Sequence, residues 1–385
     1  METRTCNTYD VAIVGGGLAG LATSIELSKK GHSVVLFEKE HYPFHKVCGE
    51  YISMESWNYL NELGIPLSRL NLPVIDTLQL TSADGTALQT RLPLGGFGIS
   101  RHKLDYLLSE IAISNGVHLM QGTKVNSIGF KDSFEISFDG PSPGRNKINA
   151  KVCCASYGKR SNIDIKWKRQ YLENINKKND NYIAVKYPVK VDHEKNMIGL
   201  HNFKDGYGGI SAVENDEYCF CYMTKAELLK RNNNNIEQLE QNVLSENPYL
   251  HTILKKKKNG DGFPITISQI NFQKKTTVEH HVLMLGDAAG MIAPLCGNGM
   301  SMALHTGKLV SPVINDFLEN RIDRNQMENM YSATWKNHFR IRVWAGRQLQ
   351  KITGHRFSTN TFVKMMKQFP FLCRSIIKMT HGKPF

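Results

Sequence analysis

The sequence predicts an α/β fold of two lobes: a first lobe on a parallel sheet, an α+β second lobe on an antiparallel sheet, and a helical C-terminal region. Three observations carry this. Residues 9–38 read as strand, glycine turn, helix and strand; residues 167–272 change to longer alternating strands; and a second wholly apolar strand returns at residues 282–285. At 385 residues the chain also exceeds the roughly 250–300 at which a single core stops growing, so two lobes with a cleft between them are expected.

In the first stretch, Val11, Ala12, Ile13 and Val14 suit a strand buried on both faces. Gly15-x-Gly17-x-x-Gly20 follows: Gly15 makes the tight turn, Gly17 lets the backbone approach a pyrophosphate, and Gly20 lets the helix lie against the strand. The free N–H groups of that helix's first turn face the phosphate with a favourable dipole. Leu21, Ile25 and Leu27 supply a core face, Gly31 ends the helix, and Glu38 closes the second strand. Its carboxylate is placed to accept hydrogen bonds from both ribose hydroxyls and would oppose a 2′-phosphate. Taken alone, this Rossmann-like unit suits FAD and NAD equally.

After Glu38 comes Tyr42-Pro43-Phe44-His45-Lys46-Val47-Cys48-Gly49-Glu50, a loop without helical or strand period. Residues 55–63 read as a helix stopped by Gly64, and residues 76–92 as a β-hairpin turning at Asp84-Gly85. Ser100 caps a helix whose core face is Leu104, Leu107, Leu108 and Ile111. Short strands follow at 117–120, 125–130 and 134–138, then a buried strand at 151–155 running into Ser156-Tyr157-Gly158-Lys159-Arg160-Ser161. The second lobe's strands fall at 182–191, 197–203, 209–213 and 218–223, with a helix across 235–244. Residues 282–287 are again a buried strand, a helix follows Pro294, and the chain from about Asn325 is helical and basic.

Composition narrows the function classes. No run of about twenty apolar residues is present and the N-terminus lacks a signal core, so a cytoplasmic protein is expected. The eight cysteines show no CxxC and no paired Cys/His spacing, which argues against a disulfide framework or a zinc site. His280 and His281, beside an apolar strand, point to opposite faces and make a poor metal pair. The net charge of +13 suggests an acidic partner. The one dense run, Lys255-Lys256-Lys257-Lys258, lacks interleaved aromatics and reads as a solvated loop before Asn259-Gly260-Asp261-Gly262, so no nucleic-acid partner is expected.

The third stretch, Leu285-Gly286-Asp287-Ala288-Ala289-Gly290, ends a strand at Asp287, where a carboxylate can accept from a ribityl hydroxyl. Gly297 and Gly299 let main-chain N–H groups approach the pyrimidine edge of a flavin, and a helix beginning near Asn298 would stabilise negative charge there.

Together with Gly15-x-Gly17-x-x-Gly20 and the turn at Tyr157-Gly158, this stretch resembles, in order and spacing, the p-hydroxybenzoate hydroxylase superfamily of FAD enzymes. Lys46-Val47-Cys48-Gly49-Glu50 and Gly206-Tyr207-Gly208-Gly209 are similar to its geranylgeranyl reductase-like branch. The resemblance implies FAD contacts at Gly15, Gly17, Ala19, Gly20, Glu38, Lys39, Lys46, Arg101, Asp287, Pro294, Gly297, Asn298, Gly299 and Met300. It places Cys48 on the flavin's substrate side, with Tyr207 facing the cleft from the second lobe as the other catalytic candidate. Tyr157 departs from the pattern, since members commonly carry aspartate or a small polar residue there.

The implied function is an FAD-dependent oxidoreductase delivering hydride to a carbon–carbon double bond of a small apolar substrate, isoprenoid or polyprenyl, with NAD(P)H or reduced ferredoxin as electron donor. No second glycine fingerprint for a nicotinamide coenzyme occurs. The alternatives are an aromatic monooxygenase using NAD(P)H and oxygen, and a non-catalytic flavin-binding or membrane-surface module. A halogenase is disfavoured because Trp57, Trp167, Trp335 and Trp344 are scattered with no Trp-x-Trp.

The expected divisions are residues 1–75, 98–165 and 273–324 for the FAD lobe, 76–97 and 166–272 for the substrate lobe, and 325–385 for the helical region. In the tail, apolar residues from Phe362 to Met379 alternate with Lys364, Lys367, Arg374 and Lys378, and Pro370 splits them into two amphipathic pieces. Their apolar face is expected to pack on the FAD lobe, the alternative being peripheral contact at the inner face of the membrane.

Overall fold

A computed structural model describes residues 8–140, 146–173, 181–256, 264–352 and 356–385. Cys6, Lys257, Lys258 and the Asn259-Gly260-Asp261-Gly262 turn lie outside the described residues. In chain order the strands are β1 (Thr8–Val14), β2 (Val34–Phe37), β3 (Tyr51–Ser53), β4 (Val74–Thr81), β5 (Ala87–Gly98), β6 (His118–Met120), β7 (Lys124–Phe130), β8 (Phe134–Asp139), β9 (Asn146–Ala155), β10 (Tyr182–Val189), β11 (Met197–Phe203), β12 (Gly206–Ala212), β13 (Tyr218–Lys225), β14 (Ile265–Ile270), β15 (Val278–Glu279) and β16 (Val282–Met284).

Among the described residues they form two eight-stranded sheets. The first runs β15-β16-β9-β1-β2-β6, with β7 and β8 attached beside β9. Its central pairs are parallel, and Val14 lies opposite both Phe37 and Ala155, while Met284 lies opposite Ala155. Four strands therefore end at one edge, and the turns after them bring Gly15–Gly17, Glu38, Ser156 and Asp287 together, as ligand sites in parallel sheets require. Helices Leu18–Lys29 and Gly299–Leu318 cover one face and share its core.

The second sheet runs β14-β10-β13-β12-β11-β4-β5-β3 and is antiparallel apart from the β4–β11 pair, which is parallel. β3 falls in the segment 1–75 expected in the first lobe, yet it pairs with residues 96–98 at the edge of this sheet. A three-residue edge strand has too few positions to show a period, so nothing local marks it.

In the C-terminal region, Arg324–Ile352 packs Met327, Tyr331, Trp335, Phe339 and Val343 into the first core. The next two helices, Arg356–Gln368 and Pro370–Thr380, correct an expectation. Their buried residues, Val363, Met366, Cys373 and Ile377, pack on Leu78, Leu80 and Leu88 of the second sheet and not on the FAD lobe. The β4–β5 hairpin presents those leucines as an apolar stripe, and its alternation does not say what covers it. The last residues return to the first lobe, where the Phe385 ring stacks on His305 with centroids 4.0 Å apart. No helix among the described residues is long and apolar enough to cross a membrane.

Candidate functional site

The glycine turn is built as its spacing demands. Gly15 has φ +108°, and a Cβ there would lie 2.5 Å from the Ser156 carbonyl oxygen; one on Gly20 would lie 2.2 Å from the Gly15 oxygen. Gly17 differs: its nearest neighbour would be 3.8 Å away, so the space in front of it is open. Gly17 also begins the helix Leu18–Lys29 without any side-chain cap, and no acidic residue occupies the first turn. Ala19, inside that first turn, is buried.

A chain of alternating charges borders the turn. Glu38 is buried and accepts from the Gly16 N–H at 3.0 Å and the Glu40 N–H at 3.2 Å. Lys46 Nζ sits 3.8 Å from Glu38 and 3.0 Å from Asp105. Arg101 donates to Asp105 through Nε at 2.6 Å and Nη2 at 2.7 Å. Burial would push the Asp105 carboxyl up, but Arg101 and Lys46 together hold it below the usual range. Arg101, an FAD contact implied by the resemblance, is thus oriented by a carboxylate one turn along its own helix. Lys39 points away to solvent and pairs with Glu40 at 3.3 Å.

At the opposite side of the site, Asp287 lies half-buried in a single 3₁₀ turn, Gly286–Ala288. Pro294 begins a second such turn, which ends at Gly297 with φ +61°. Gly299 opens the long helix, and a Cβ there would meet only Ile292, at 3.9 Å. Asn298 is fully buried and turns its amide inward to Glu55, so its main chain and not its side chain faces the site. Met300 is buried behind it.

The second sheet closes the cleft. Tyr207 lies opposite Met223, and Cys221 opposite Lys186, so these side chains share one face. Tyr207 is 4 % exposed; its hydroxyl lies beside the Leu295 main chain without a formed hydrogen bond. Cys48 is half-buried at the same junction, and its carbonyl accepts from Cys219 Sγ at 3.1 Å. Ser211 Oγ donates to the Gly49 carbonyl at 2.8 Å, and the buried Lys186 pairs with buried Glu50. Three contacts from the second lobe therefore hold the Cys48 loop. Burial pushes the Glu50 carboxyl up, with Lys186 working against that shift.

Against known proteins, the model of the FAD binding domain family matches residues 8–311. The chain belongs to this FAD-binding oxidoreductase family. It is 23% identical to conditioned medium factor receptor 1 of Dictyostelium discoideum, over 94% of this chain and 72% of that one. It is also 23% identical to digeranylgeranylglycerophospholipid reductase of Methanococcus vannielii, over 87% and 84%. In fold it is similar to a geranylgeranyl bacteriochlorophyll reductase-like protein from Thermoplasma acidophilum, with TM-score 0.80, 18% identity and coverage of 94% and 92%. The flavin-dependent brominase Bmp2 is comparable, with TM-score 0.79, 18% identity and coverage of 97% and 93%.

The residues present fit FAD. The open space at Gly17 with an uncapped helix start suits the pyrophosphate, and a carboxylate has about four acceptor sites, so Glu38 keeps capacity for the ribose after its two main-chain bonds. Beneath the Asp287 turn of this FAD site lies a buried network that spacing alone did not reveal. Asp164 accepts from Tyr157 at 2.6 Å, Tyr171 at 2.8 Å and Arg169 at 3.0 Å. Arg169 also donates to the Ala288 carbonyl at 3.2 Å, and Lys275 Nζ donates to the carbonyls of Asp287 at 2.9 Å and Lys159 at 3.1 Å. Two cations thus hold the main chain on either side of the Asp287–Ala288 bond. Tyr157, the departure from the family pattern, is explained by the same network.

Burial pushes the Lys275 ammonium down to about 8 from 10.5. Between those two values the unfolded chain binds more protons than the folded one, so stability gains with pH across that window. The gain is expected to be about 3 kcal/mol, absent in Lys275→Met, and visible by comparing urea unfolding of the two proteins on either side of the window.

Proposed function

We propose that the protein is an FAD-dependent reductase that saturates a carbon–carbon double bond of an apolar substrate, an isoprenoid or polyprenyl chain. The cleft wall supports this reading. Tyr182, Ala184, Tyr207, Met223, Ile270 and Met291 form one buried apolar cluster, with Val47 and Leu295 packed against it. Such a wall excludes water and matches a hydrocarbon chain. FAD, when bound, supplies the hydride. Saturation also needs a proton, and Tyr207 Oη and Cys48 Sγ are two groups here that can hold one. Burial raises the Tyr207 hydroxyl well above its ordinary value, so it stays protonated.

The test is anaerobic reduction of the FAD-loaded protein by NADH, NADPH and reduced ferredoxin in turn, followed by reoxidation with polyprenyl lipid or with air. Reoxidation by the lipid with formation of its hydrogenated product is expected. Oxidation of NADPH that accelerates only with an aromatic substrate and air would replace this reading with a monooxygenase. Failure of every reductant would leave a flavin-binding module.

A lipid substrate has to be collected from a membrane, and the tail helices suit that contact. Met365, Phe369, Phe371 and Met379 are exposed there among basic residues. The full chain is expected to float with vesicles containing acidic lipid and a chain ending at Thr361 is not; equal behaviour of the two rejects the contact.

A further inference from the structure

A cavity of about 520 Å³ lies between β5 and the last helix, and none of its lining residues is acidic. Leu92, Leu94 and Ile377 make one wall; Arg342, Lys378 and Lys383 supply charge. It shares no lining residue with the apolar cluster of the cleft. The Tyr51 ring lines the cavity and would sit 3.1 Å from a Cβ on Gly297, so the cavity borders the turn that ends there.

Two further features mark it as a site. Tyr51 is 5 % exposed, and its buried hydroxyl has no hydrogen-bond partner. Arg342 Nη1 is 3.5 Å from Glu55 Oε2 and 3.4 Å from Asn298 Oδ1, both at the limit of a hydrogen bond, so this mostly buried cation is loosely matched. Lys378 and Lys383 are exposed at the mouth, and His381, half-buried on the same wall, adds a further donor. A neutral lipid would leave the two lysines at the mouth without a counter-charge, and a bare anion would leave the leucine and isoleucine wall wet. The volume lies within the roughly 300–1,000 Å³ of pockets that enclose small ligands.

We propose that this cavity binds a single-chain anionic amphiphile, its phosphate-type headgroup between Arg342, Lys378 and Lys383 and its apolar chain along Leu92, Leu94 and Ile377. Guanidinium matches a phosphate through paired N–H donors, and the two lysines add unspecific charge at the mouth. This assignment does not depend on which substrate the cleft takes.

Calorimetric titration of the FAD-loaded full chain with monomeric farnesyl phosphate, farnesol and inorganic phosphate tests it. Farnesyl phosphate is expected to bind once per chain, about tenfold or more tighter than either other probe. Lys378→Glu with Lys383→Glu, and separately Leu94→Trp, which fills the wall, are each expected to weaken it about tenfold, with flavin content and thermal midpoint as folding controls. Equal affinity for farnesol removes the headgroup site, and equal affinity for inorganic phosphate reduces the cavity to a surface anion site. Unchanged affinity in either variant places the ligand elsewhere. Binding only to vesicles carrying phosphatidic acid, and not to the monomer, would mean surface adsorption and also overturns the proposal.

Discussion

Gly17→Val is expected to purify folded but colourless. A Cβ at this position meets no protein atom closer than 3.8 Å, and the residue's φ of −82° suits any amino acid, so the fold has no reason to change. The open space is instead where a pyrophosphate has to approach the helix start, and branched carbons there remove both the contact and the access to the first-turn amides. A loss of about 3 kcal/mol in FAD binding, about a hundredfold in Kd, is expected, read from visible flavin absorbance after desalting and from titration with FAD. The same substitution at Gly20 behaves differently, because its Cβ would meet the Gly15 carbonyl at 2.2 Å; that variant should fail to fold. A Gly17→Val protein retaining stoichiometric FAD would reject the cradle.

Asp164→Ala should be the most destabilising single change in the network under Asp287. It leaves the Arg169 guanidinium, 2 % exposed, with Glu279 at 3.4 Å as its remaining carboxylate, and takes the acceptor from the hydroxyls of Tyr157 and Tyr171. Removing one partner of a buried ion pair costs about 3–5 kcal/mol. Urea unfolding measures it, and Asp164→Asn, which keeps an acceptor but no charge, should fall between. Flavin affinity should drop as well, since Arg169 also holds the Ala288 carbonyl beside Asp287. A loss under about 1 kcal/mol would mean that the pair behaves as a solvated surface bridge.

The contrast between these two predictions marks how far the sequence reaches. Gly15, Gly17, Gly20, Glu38, Asp287, Gly297 and Gly299 were legible because each answers a local demand: a positive φ, a close approach, or a position at a strand end. Those demands act within a few residues, and apolar periodicity around them was enough to place the βαβ unit, the second lobe's strands and the long C-terminal helix. The sequence alone therefore determined the FAD-binding fold and the turns that its sheet brings together. It did not reveal Asp164, Arg169 or Lys275, the three-residue strand β3, or which sheet the tail covers. Lys275 reaches across 116 residues to the Lys159 carbonyl, and Lys186 across 136 to Glu50. Nothing in their own neighbourhoods separates these lysines from the many others of a chain with net charge +13. What selects them is burial opposite a carboxylate or carbonyl brought there by the sheets, and that energy exists only once the chain has folded.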